Sequence, residues 1–537
     1  MTFHGRHSDV WHAISLALPE RIAIRDAGGE EWSYARLAQQ SGSLARTLRS
    51  RGLTVGDPVA ILLHNRPEFI ITLFACLAGG FVPVPFNYRF RAAEIADLLD
   101  DSGARAIVHP TSLNAVVAEA MDLARDEPEA IAVDDAAAAP VAGTRWQDAV
   151  EGATPLPPTA PDGELWLYTG GTTGRPKAAM WDARDMFEAQ KYSIYGLSDL
   201  DEPVDLDDAV RIAAATSERF MVTLPLAPFM HGTALFASMN ALALGGTVLT
   251  TSSARLDADA AVELANRWGA TRLIVAGDAV TIPLVEAAER TATRLRTVTS
   301  VLSSGMRFSP DVKRRLHAIA DVQIFDMLAS TEAGAFAVTT TTGPGDLPGR
   351  PRLLPHATVL DEDLEEVRHE VGARGLLALR GAMPKGYRGD TAKTRETFPT
   401  IRGRRHVVPG DWVRVEEDLH IELLGRGSSV VNTGGEKVYP LEVEEALLSH
   451  PLVDDAVVFG ISDRRFGEIV AAVVATPEPG LAVEDLIAHI DPLIAGYKKP
   501  RTIALRPSLN RTPHGKIDLV RLRADVQAGS SAPKETA

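Results

Sequence analysis

A loop rich in glycine and threonine, placed directly after an apolar stretch, most constrains how this chain can fold. Residues 165–167 read LWL, which predicts a buried strand, and residues 169–177 read TGGTTGRPK. Glycine lets backbone N–H groups approach an anion closely, threonine hydroxyls add donors, and Lys177 adds a positive charge. An ordinary surface loop is the alternative, but the combination is typical of a loop that holds a phosphate chain. It is not a Walker A loop, because two residues separate Gly174 from Lys177.

Length, charge and cysteine content exclude several classes of protein. With 537 residues the chain is too long for one compact core, and its formal net charge of −16 argues against a nucleic-acid partner. Cys76 is the only cysteine, which excludes an intramolecular disulfide and a cysteine-based zinc site and fits a reducing cytoplasm. The first residues contain no apolar signal core, and no run reaches the roughly 18 apolar residues of a membrane span. We therefore expect no integral membrane segment.

Helical and strand-like patterns alternate through the first 165 residues. Ser33 is the expected N-cap of an early helix. Since strands alternate with helices, we predict a parallel sheet with crossover helices, an α/β architecture. Residues 136–162 are rich in Ala, Pro and Gly and suggest a surface connection that leads into the phosphate loop. The expected strands cover residues 57–63, 81–85 and 104–109, and the expected helices begin near residues 33, 66 and 92.

A short polar segment, GRGSS at residues 425–429, predicts a hinge between two domains. Before it lies a large N-terminal domain, residues 1–424, in which we expect mixed or parallel sheets flanked by helices. After it, residues 430–525 show a compact α+β pattern with the size of an independent C-terminal domain. Residues 526–537 end in a polar stretch without an apolar anchor and are expected to form a disordered tail. The C-terminal domain has expected helices at 441–450 and 483–490 and expected strands at 455–459, 469–475 and 502–505.

The phosphate loop resembles the signature of the adenylate-forming, or AMP-binding, superfamily, which includes acyl-CoA synthetases, luciferases and peptide-synthetase adenylation domains. The usual form is YTSGTTGxPKG, and this chain has Gly170 in place of the serine and Ala178 in place of the last glycine. Further motifs follow in the family's order, so that the resemblance covers about residues 10–522 and implies that residues 1–424 are an adenylation domain. The ATP-binding residues that it implies around the loop are Thr169, Gly170, Gly171, Thr172, Thr173, Gly174 and Lys177.

Two motifs in the middle of the chain resemble the family's acyl-pocket and metal-binding motifs. In residues 228–232, PFMHG, the resemblance implies that His231 gates access between the carboxylate site and the thiol tunnel. In residues 326–332, DMLASTE, it implies that Glu332 holds Mg²⁺ and that Thr331 donates to the α-phosphate. A carboxylate at a strand end is a suitable hard-oxygen ligand for this ion. The resemblance also implies four nucleotide-binding residues, namely Ser304, Gly305, Asp326 and Met327.

Three motifs toward the C-terminus complete the resemblance. Asp411 follows Gly410 as in the family's Gly-Asp motif, whose carboxylate accepts from both ribose hydroxyls, and Arg426 matches an arginine that binds the same region. In residues 511–517, RTPHGKI, the resemblance implies that Lys516 bridges the substrate carboxylate and the α-phosphate. Residues 432–444, NTGGEKVYPLEVE, resemble a loop that lines the coenzyme A tunnel. The tunnel residues implied by this loop are Gly434, Gly435 and Glu436.

The chain also departs from the usual motif residues of the family near the nucleotide and at the hinge. Leu328 and Ala329 replace the usual Tyr-Gly pair that borders the adenine and the acyl group, which affects how adenine stacks. Ser428 stands where the hinge residue is usually Asp or Lys. Because a hinge needs backbone freedom more than a particular charge, we expect rotation of the C-terminal domain to be retained.

Together these motifs predict an ATP-dependent acyl-CoA synthetase whose cofactors are ATP, Mg²⁺ and coenzyme A and whose substrate is a small-molecule carboxylic acid. Residues 425–440 most resemble actinobacterial-type synthetases that act on fatty acids or sterol side chains, so we expect a hydrophobic acid. One alternative is an adenylating enzyme that loads a carrier protein, although that class usually has an Asp after the Phe of the PFMHG motif. A catalytically silent protein of the same fold is the other. Dimerisation is common in the family and no interface is readable in the sequence, which leaves a homodimer open.

Overall fold

The computed structural model contains two compact units. It describes residues 3–135, 143–152, 163–170, 176–215, 222–251, 253–426, 431–438, 440–509 and 519–530. The first unit comprises Met1–Tyr88, Ile95–Thr169 and Lys177–Gly425. The second comprises Arg89–Glu94, Gly170–Pro176 and Arg426–Ala537.

The largest sheet of the first unit has nine strands within the described residues, and its centre is parallel. Antiparallel strands close it at both edges, next to Gln323–Ser330 and next to Ile22–Asp26. Its central strands are largely buried, as expected for a parallel sheet covered by helices. In spatial order the strands are Arg352–Leu353, Gly334–Thr341, Gln323–Ser330, Ser300–Ser304, Arg272–Val275, Val222–Pro225, Thr247–Thr250, Ile22–Asp26 and Glu31–Ser33.

A second, wholly parallel sheet of the first unit confirms the α/β prediction. The expected N-cap is also present, because Ser33 Oγ accepts a hydrogen bond from the Arg36 backbone N–H at 3.1 Å. The expected connection at residues 136–162 is partly wrong, since its described part forms a strand and a short helix that buries Trp146 in the core. In spatial order the strands are Val82–Pro85, Pro58–Ile61, Ala106–Pro110, Glu129–Val133 and Thr144–Arg145.

Two further sheets complete the architecture of the first unit. One contains Thr400–Ile401, Arg404–Val407, Arg374–Arg380, Asp411–Val415 and Ile421–Arg426, with Ala357–Leu360 paired to Arg374–Arg380. The other contains Gly386–Tyr387, Pro176–Asp182 and Glu164–Gly170, which are the strands around the phosphate loop. The LWL run is therefore in a strand, as predicted.

Helices cover the sheets of the first unit. The helix Pro67–Gly79 is apolar on all sides and buries nearly every residue, including Cys76, whose thiol pKa is raised by burial. Among the helices that the structure describes, none is both long and apolar enough to cross a membrane. The helices are His7–Ala17, Tyr34–Ser50, Pro67–Gly79, Ala92–Ser102, Asn114–Leu123, Trp146–Ala149, Ala183–Ile194, Leu206–Ala215, Gly232–Ala243, Ala258–Arg267, Gly277–Arg290, Pro310–Ile319 and Thr391–Thr397.

The second unit is an α+β domain that matches the predicted element order. Its sheet contains Glu436–Val438, Val431–Thr433, Gly467–Ala475 and Asp455–Asp463, with Thr502–Arg506 parallel to Gly467–Ala475. Its helices are Pro440–Leu448, Val483–Ile490 and Leu519–Ser530. The predicted start of a disordered tail at residue 526 is wrong, because the last helix continues to Ser530. Leu522 and Val526 of this helix pack into an apolar cluster with Phe459. Residues 531–537 lie outside the described part of the chain.

Candidate functional site

Two adjacent strands flank the predicted phosphate loop. Thr169 lies at the end of the strand Glu164–Gly170, and Lys177 lies at the start of the strand Pro176–Asp182. Both strands belong to one sheet, so the loop joins neighbouring strands. The predicted loop residues Gly171, Thr172, Thr173 and Gly174 lie outside the described residues, and the side-chain surroundings of Gly170 are not described.

Glu332 brings three distant parts of the first unit together. It follows the strand Gln323–Ser330 and is buried, with 8% of its surface exposed. Its Oε1 accepts a hydrogen bond from the Tyr387 hydroxyl at 2.8 Å and one from Thr169 Oγ1 at 3.3 Å. The predicted metal ligand therefore contacts the residue that enters the phosphate loop.

The turn that carries Thr331 is fixed from the strand on the other side of the phosphate loop. Trp181, which is fully buried, donates from Nε1 to the carbonyl oxygen of Thr331 at 2.9 Å. Its ring also meets Phe236 edge-on, with centroids 6.3 Å apart. Because the indole N–H is satisfied by this carbonyl, the bond ties the DMLASTE motif to the strand that carries Lys177.

Lys177 has a carboxylate partner. Its Nζ lies 2.5 Å from Asp390 Oδ2. Asp390 caps the helix Thr391–Thr397 by accepting from the Lys393 backbone N–H at 2.8 Å. The hydrogen bond from Lys177 holds the pKa of the Asp390 carboxyl below its usual value, so the carboxylate is ionised at neutral pH.

The predicted nucleotide residues Ser304 and Met327 are neighbours on parallel strands. Ser304 pairs in register with Met327, and Asp326 lies one residue before it. Asp326 forms an ion pair with the buried Lys313, with 2.7 Å between Oδ2 and Nζ. Burial raises the pKa of the Asp326 carboxyl, and the Lys313 ammonium opposes that rise. Gly305 directly follows the strand Ser300–Ser304 and is exposed.

His231 stands at the N-cap of the helix that follows it, on a loop held by Asn65. The Phe229 backbone N–H donates to Asn65 Oδ1 at 2.7 Å. Asn65 Nδ2 in turn donates to the carbonyl oxygens of Pro225 at 3.0 Å and Ala227 at 2.8 Å. One buried amide thus fixes the backbone of the predicted gate.

The remaining predicted residues are spread over other elements. Asp411 begins the strand Asp411–Val415 and is 7% exposed, and Arg426 ends the strand Ile421–Arg426. Gly434 and Gly435 form the turn between two strands of the second unit, with φ of +60° and +88°. Both angles lie in the left-handed region that favours glycine. Within the same unit, buried Glu436 is paired with Arg89, while Lys516 lies outside the described residues.

Comparison with known proteins assigns the chain to a family. Residues 14–388 match the model of the AMP-binding enzymes, and residues 442–516 match the model of the AMP-binding enzyme C-terminal domain. The chain is an AMP-binding enzyme. The superfamily resemblance read from the motifs is thereby confirmed.

Relatives of this AMP-binding enzyme align over nearly its whole length. A medium/long-chain-fatty-acid–CoA/3-oxocholest-4-en-26-oate–CoA ligase of Mycolicibacterium smegmatis is 35% identical over 94% of both chains. The medium-chain acyl-CoA ligase Mig of Mycobacterium avium is also 35% identical, over 94% of this chain and 95% of its own. A 3-oxocholest-4-en-26-oate–CoA ligase of Rhodococcus rhodochrous is 32% identical over 95% of this chain and 93% of its own.

Solved structures share the fold of this AMP-binding enzyme. The amide bond synthetase McbA of Marinactinospora thermotolerans superimposes with a TM-score of 0.81 at 24% identity, over 97% of this chain and 99% of that one. Apo MatB of Rhodopseudomonas palustris gives a TM-score of 0.63 at 25% identity over the same shares. These likenesses support the predicted fold class of a large α/β domain with a smaller C-terminal domain.

The donor set of the AMP-binding enzyme fits a magnesium ion that is shared with phosphates. Within the described residues, no cluster of three or more His, Cys, Asp or Glu side chains could hold a metal by itself. Glu332 offers one buried carboxylate with hydroxyl donors on one oxygen. Mg²⁺ is usually bound by one or two carboxylates together with substrate phosphates and water, so a single carboxylate that contacts Thr169 fits it.

Sequence reasoning missed several residues that hold the predicted site residues in place. Asn65 and Trp181 belong to segments that were read only as markers of the fold or of the family branch. Tyr387 and Asp390 lie in a GYRGD segment at residues 386–390 that carries no recognised chemistry. The signal of Tyr387 and Asp390 in the sequence is an aromatic or polar residue beside a glycine, which is too common to single out. The partner of Asp326, Lys313, was also not anticipated.

Proposed function

We propose that this AMP-binding enzyme is an ATP-dependent acyl-CoA synthetase. It joins a carboxylic acid to AMP with release of pyrophosphate, and it then transfers the acyl group to the thiol of coenzyme A. The observation that carries the proposal is the buried Glu332 carboxylate, hydrogen-bonded to Thr169 at the entrance of the phosphate loop. A carboxylate that contacts Thr169 and a lysine at the start of the next strand suit the binding of a metal-bound triphosphate.

The first half-reaction requires two anions to meet. The substrate carboxylate attacks the α-phosphorus of ATP, so the protein contributes mainly positioning and neutralisation of charge. In this proposal Lys177 holds the leaving pyrophosphate, Thr331 donates to the α-phosphate, and Lys516 bridges the carboxylate and the α-phosphate. Glu332 would hold Mg²⁺, which when bound screens the phosphate charges from the incoming carboxylate.

Two further groups of residues would hold the nucleoside. Ser304, Gly305, Asp326 and Met327 lie on or beside neighbouring parallel strands and would line the adenine. The carboxylate of Asp411 and the guanidinium of Arg426 would bind the ribose. A vicinal diol donates two hydrogen bonds, which a carboxylate with two acceptor oxygens can receive together.

The second half-reaction is assigned to the C-terminal domain. The turn at Gly434 and Gly435 has no side chains, which leaves room for the pantetheine arm, and Glu436 follows it. At these two positions glycine takes up less space than any other residue would, which suits a narrow tunnel. His231 would control access between the acid and the thiol. The proposed hinge at residues 425–429 would turn this domain between the two half-reactions.

The proposed substrate is a hydrophobic acid, either a fatty acid or a sterol side-chain acid. The name of the relative from Mycolicibacterium smegmatis contains both classes, and the name of the relative from Rhodococcus rhodochrous contains the sterol side-chain acid alone. The loop before His231 is apolar and buried at Phe229 and Met230, which disfavours an amino-acid substrate whose ammonium needs a carboxylate partner.

The test is to incubate the purified protein with MgATP and a panel of carboxylic acids, with and without coenzyme A. Pyrophosphate and thioester are followed by mass spectrometry. We expect thioester with medium- and long-chain fatty acids or with sterol side-chain acids. Pyrophosphate without thioester would instead indicate a carrier-protein acceptor. No product and no ATP binding by calorimetry would indicate a silent protein of this fold.

A further inference from the structure

One short segment, residues 386–390, contacts both Glu332 and Lys177. This segment, called the 386–390 turn below, consists of the strand Gly386–Tyr387 and the turn after it. It supplies Tyr387, which binds Glu332, and Asp390, which binds Lys177. We propose that this turn is a positioning element, in which Tyr387 orients the metal-binding carboxylate and Asp390 orients the pyrophosphate-binding ammonium. The proposal rests on the function proposed above and adds two residues to which no role has been given.

Backbone pairing fixes the turn to the strand that carries Lys177. Tyr387 pairs in antiparallel register with Ala179. The Arg388 N–H donates to the Ala178 carbonyl at 2.9 Å, and the Lys385 N–H donates to the Met180 carbonyl at 2.7 Å. The turn therefore cannot shift along the strand without breaking these bonds, which gives its side chains a defined position relative to Lys177 on that strand.

The Tyr387 side chain is held on several sides. It is 8% exposed, and its ring meets Phe398 with centroids 5.6 Å apart. Its backbone N–H donates to Thr394 Oγ1 at 2.9 Å. With the ring fixed, the hydroxyl reaches Glu332 Oε1 at 2.8 Å from one direction only. A carboxylate fixed in this way presents a defined orientation to a cation. Removal of a residue that orients a metal ligand commonly lowers metal affinity about 10- to 100-fold.

The Asp390 side chain is held by a backbone hydrogen bond in addition to its contact with Lys177. Its Oδ1 accepts from the Lys393 N–H at 2.8 Å, which leaves Oδ2 for Lys177 at 2.5 Å. A lysine side chain has several rotatable bonds, and fixing them on phosphate binding costs entropy. A lysine that is already held by Asp390 loses less freedom, and its ammonium keeps two further N–H donors for phosphate.

The experiment measures nucleotide binding in the absence of acid substrate, so that no turnover is needed. ATP is titrated by calorimetry into wild type, Tyr387→Phe and Asp390→Asn, with and without Mg²⁺. We expect Tyr387→Phe to weaken binding of MgATP about tenfold and to leave Mg²⁺-free ATP nearly unchanged. Asp390→Asn should weaken the binding of both MgATP and Mg²⁺-free ATP about tenfold. Asp390→Glu should recover part of that lost affinity because it restores the charge.

Two control variants make the same chemical changes elsewhere in the first unit. Tyr34→Phe removes a buried hydroxyl that donates to the carbonyls of Leu242 and Gly246, both at 2.9 Å. Asp257→Asn changes a helix cap that accepts from the Ala260 N–H at 3.0 Å and that forms no ion pair with a lysine in the described part of the chain. Both controls should bind ATP as the wild type does. Melting temperatures of all variants report whether they fold.

A second readout separates positioning from a general structural role. Thioester formation from supplied acyl-adenylate needs neither Mg²⁺ nor a pyrophosphate site, so both turn variants should retain it while acyl-adenylate formation falls. Equal loss of the two half-reactions would overturn the proposal, as would unchanged MgATP affinity in Tyr387→Phe. Tighter ATP binding by Asp390→Asn would show that Asp390 competes with phosphate and would overturn its positioning role. A wild type that binds ATP but forms no thioester refutes the proposed function alone, because the binding titrations still test the turn.

Discussion

A buried histidine near the N-terminus predicts how the first unit responds to acid. His7 is 1% exposed, and burial lowers its pKa from 6.5 to about 4. Its Nε2 lies 3.1 Å from Asn240 Oδ1, and Asn240 Nδ2 donates to Gln190 Oε1 at 3.2 Å. Since the asparagine oxygen must accept, the network assigns the proton of His7 to Nε2. A second proton would have to enter on Nδ1, which is buried and has no hydrogen-bond partner within the described residues.

The magnitude follows from linkage between protonation and folding. The unfolded chain takes up the His7 proton near its ordinary pKa of 6.5, whereas the folded protein resists it until about pH 4. The contribution of His7 to the free energy of unfolding is therefore fully present above the pKa of the unfolded state. It is lost as the pH falls toward the pKa of the folded state, by about 3 kcal/mol in total. Between pH 7 and about pH 5 the loss from this one group is about 2 kcal/mol.

The assay is urea unfolding at these two pH values for wild type and His7→Gln. All seven tryptophans lie within the first unit, so their fluorescence follows that unit alone. Glutamine can donate to Asn240 without titrating, so the variant should lose about 2 kcal/mol less on acidification than the wild type. His4→Gln changes a histidine side chain that is 69% exposed and should behave as the wild type does. Parallel acid losses in wild type and His7→Gln would refute the reasoning.

Three further changes test other parts of the molecule. Trp181→Phe leaves the Thr331 carbonyl without its donor and should cost about 1–2 kcal/mol of unfolding free energy, and it should slow acyl-adenylate formation more than the matched Trp11→Phe does. Lys516→Ala should abolish measurable acyl-adenylate formation and spare thioester formation from supplied acyl-adenylate, as followed by mass spectrometry; equal losses would contradict its assigned role. Gly277→Ala would place Cβ 2.2 Å from a backbone carbonyl oxygen at a φ of +50°, so thermal unfolding should show a loss of at least about 2 kcal/mol.

Local features of this fold could be read from the sequence, whereas side-chain partners could not. The cap at Ser33 and the helix Val483–Ile490 were predicted because capping and periodicity act within a few residues. The partner of Lys177 lies 213 residues further along the chain, and the Tyr387–Glu332 bond joins residues 55 apart. Such pairs depend on sheet register and on the path of the chain, which hydrophobic periodicity does not encode. Family resemblance indicated the chemistry, but it did not indicate what holds the reactive groups in place.

The position of Cys76 bears on the fate of the activated acyl group. An acyl-adenylate reacts readily with thiolates, and a protein that makes one risks acylating its own cysteines. Here the only cysteine of the chain lies in the core within Pro67–Gly79, where burial keeps its thiol protonated. Consequently no cysteine of the enzyme competes with the thiol of coenzyme A for the activated acyl group. For the experimenter, a cysteine introduced on the surface would be the single reactive thiol, so a probe on either unit could be attached without first removing a native one.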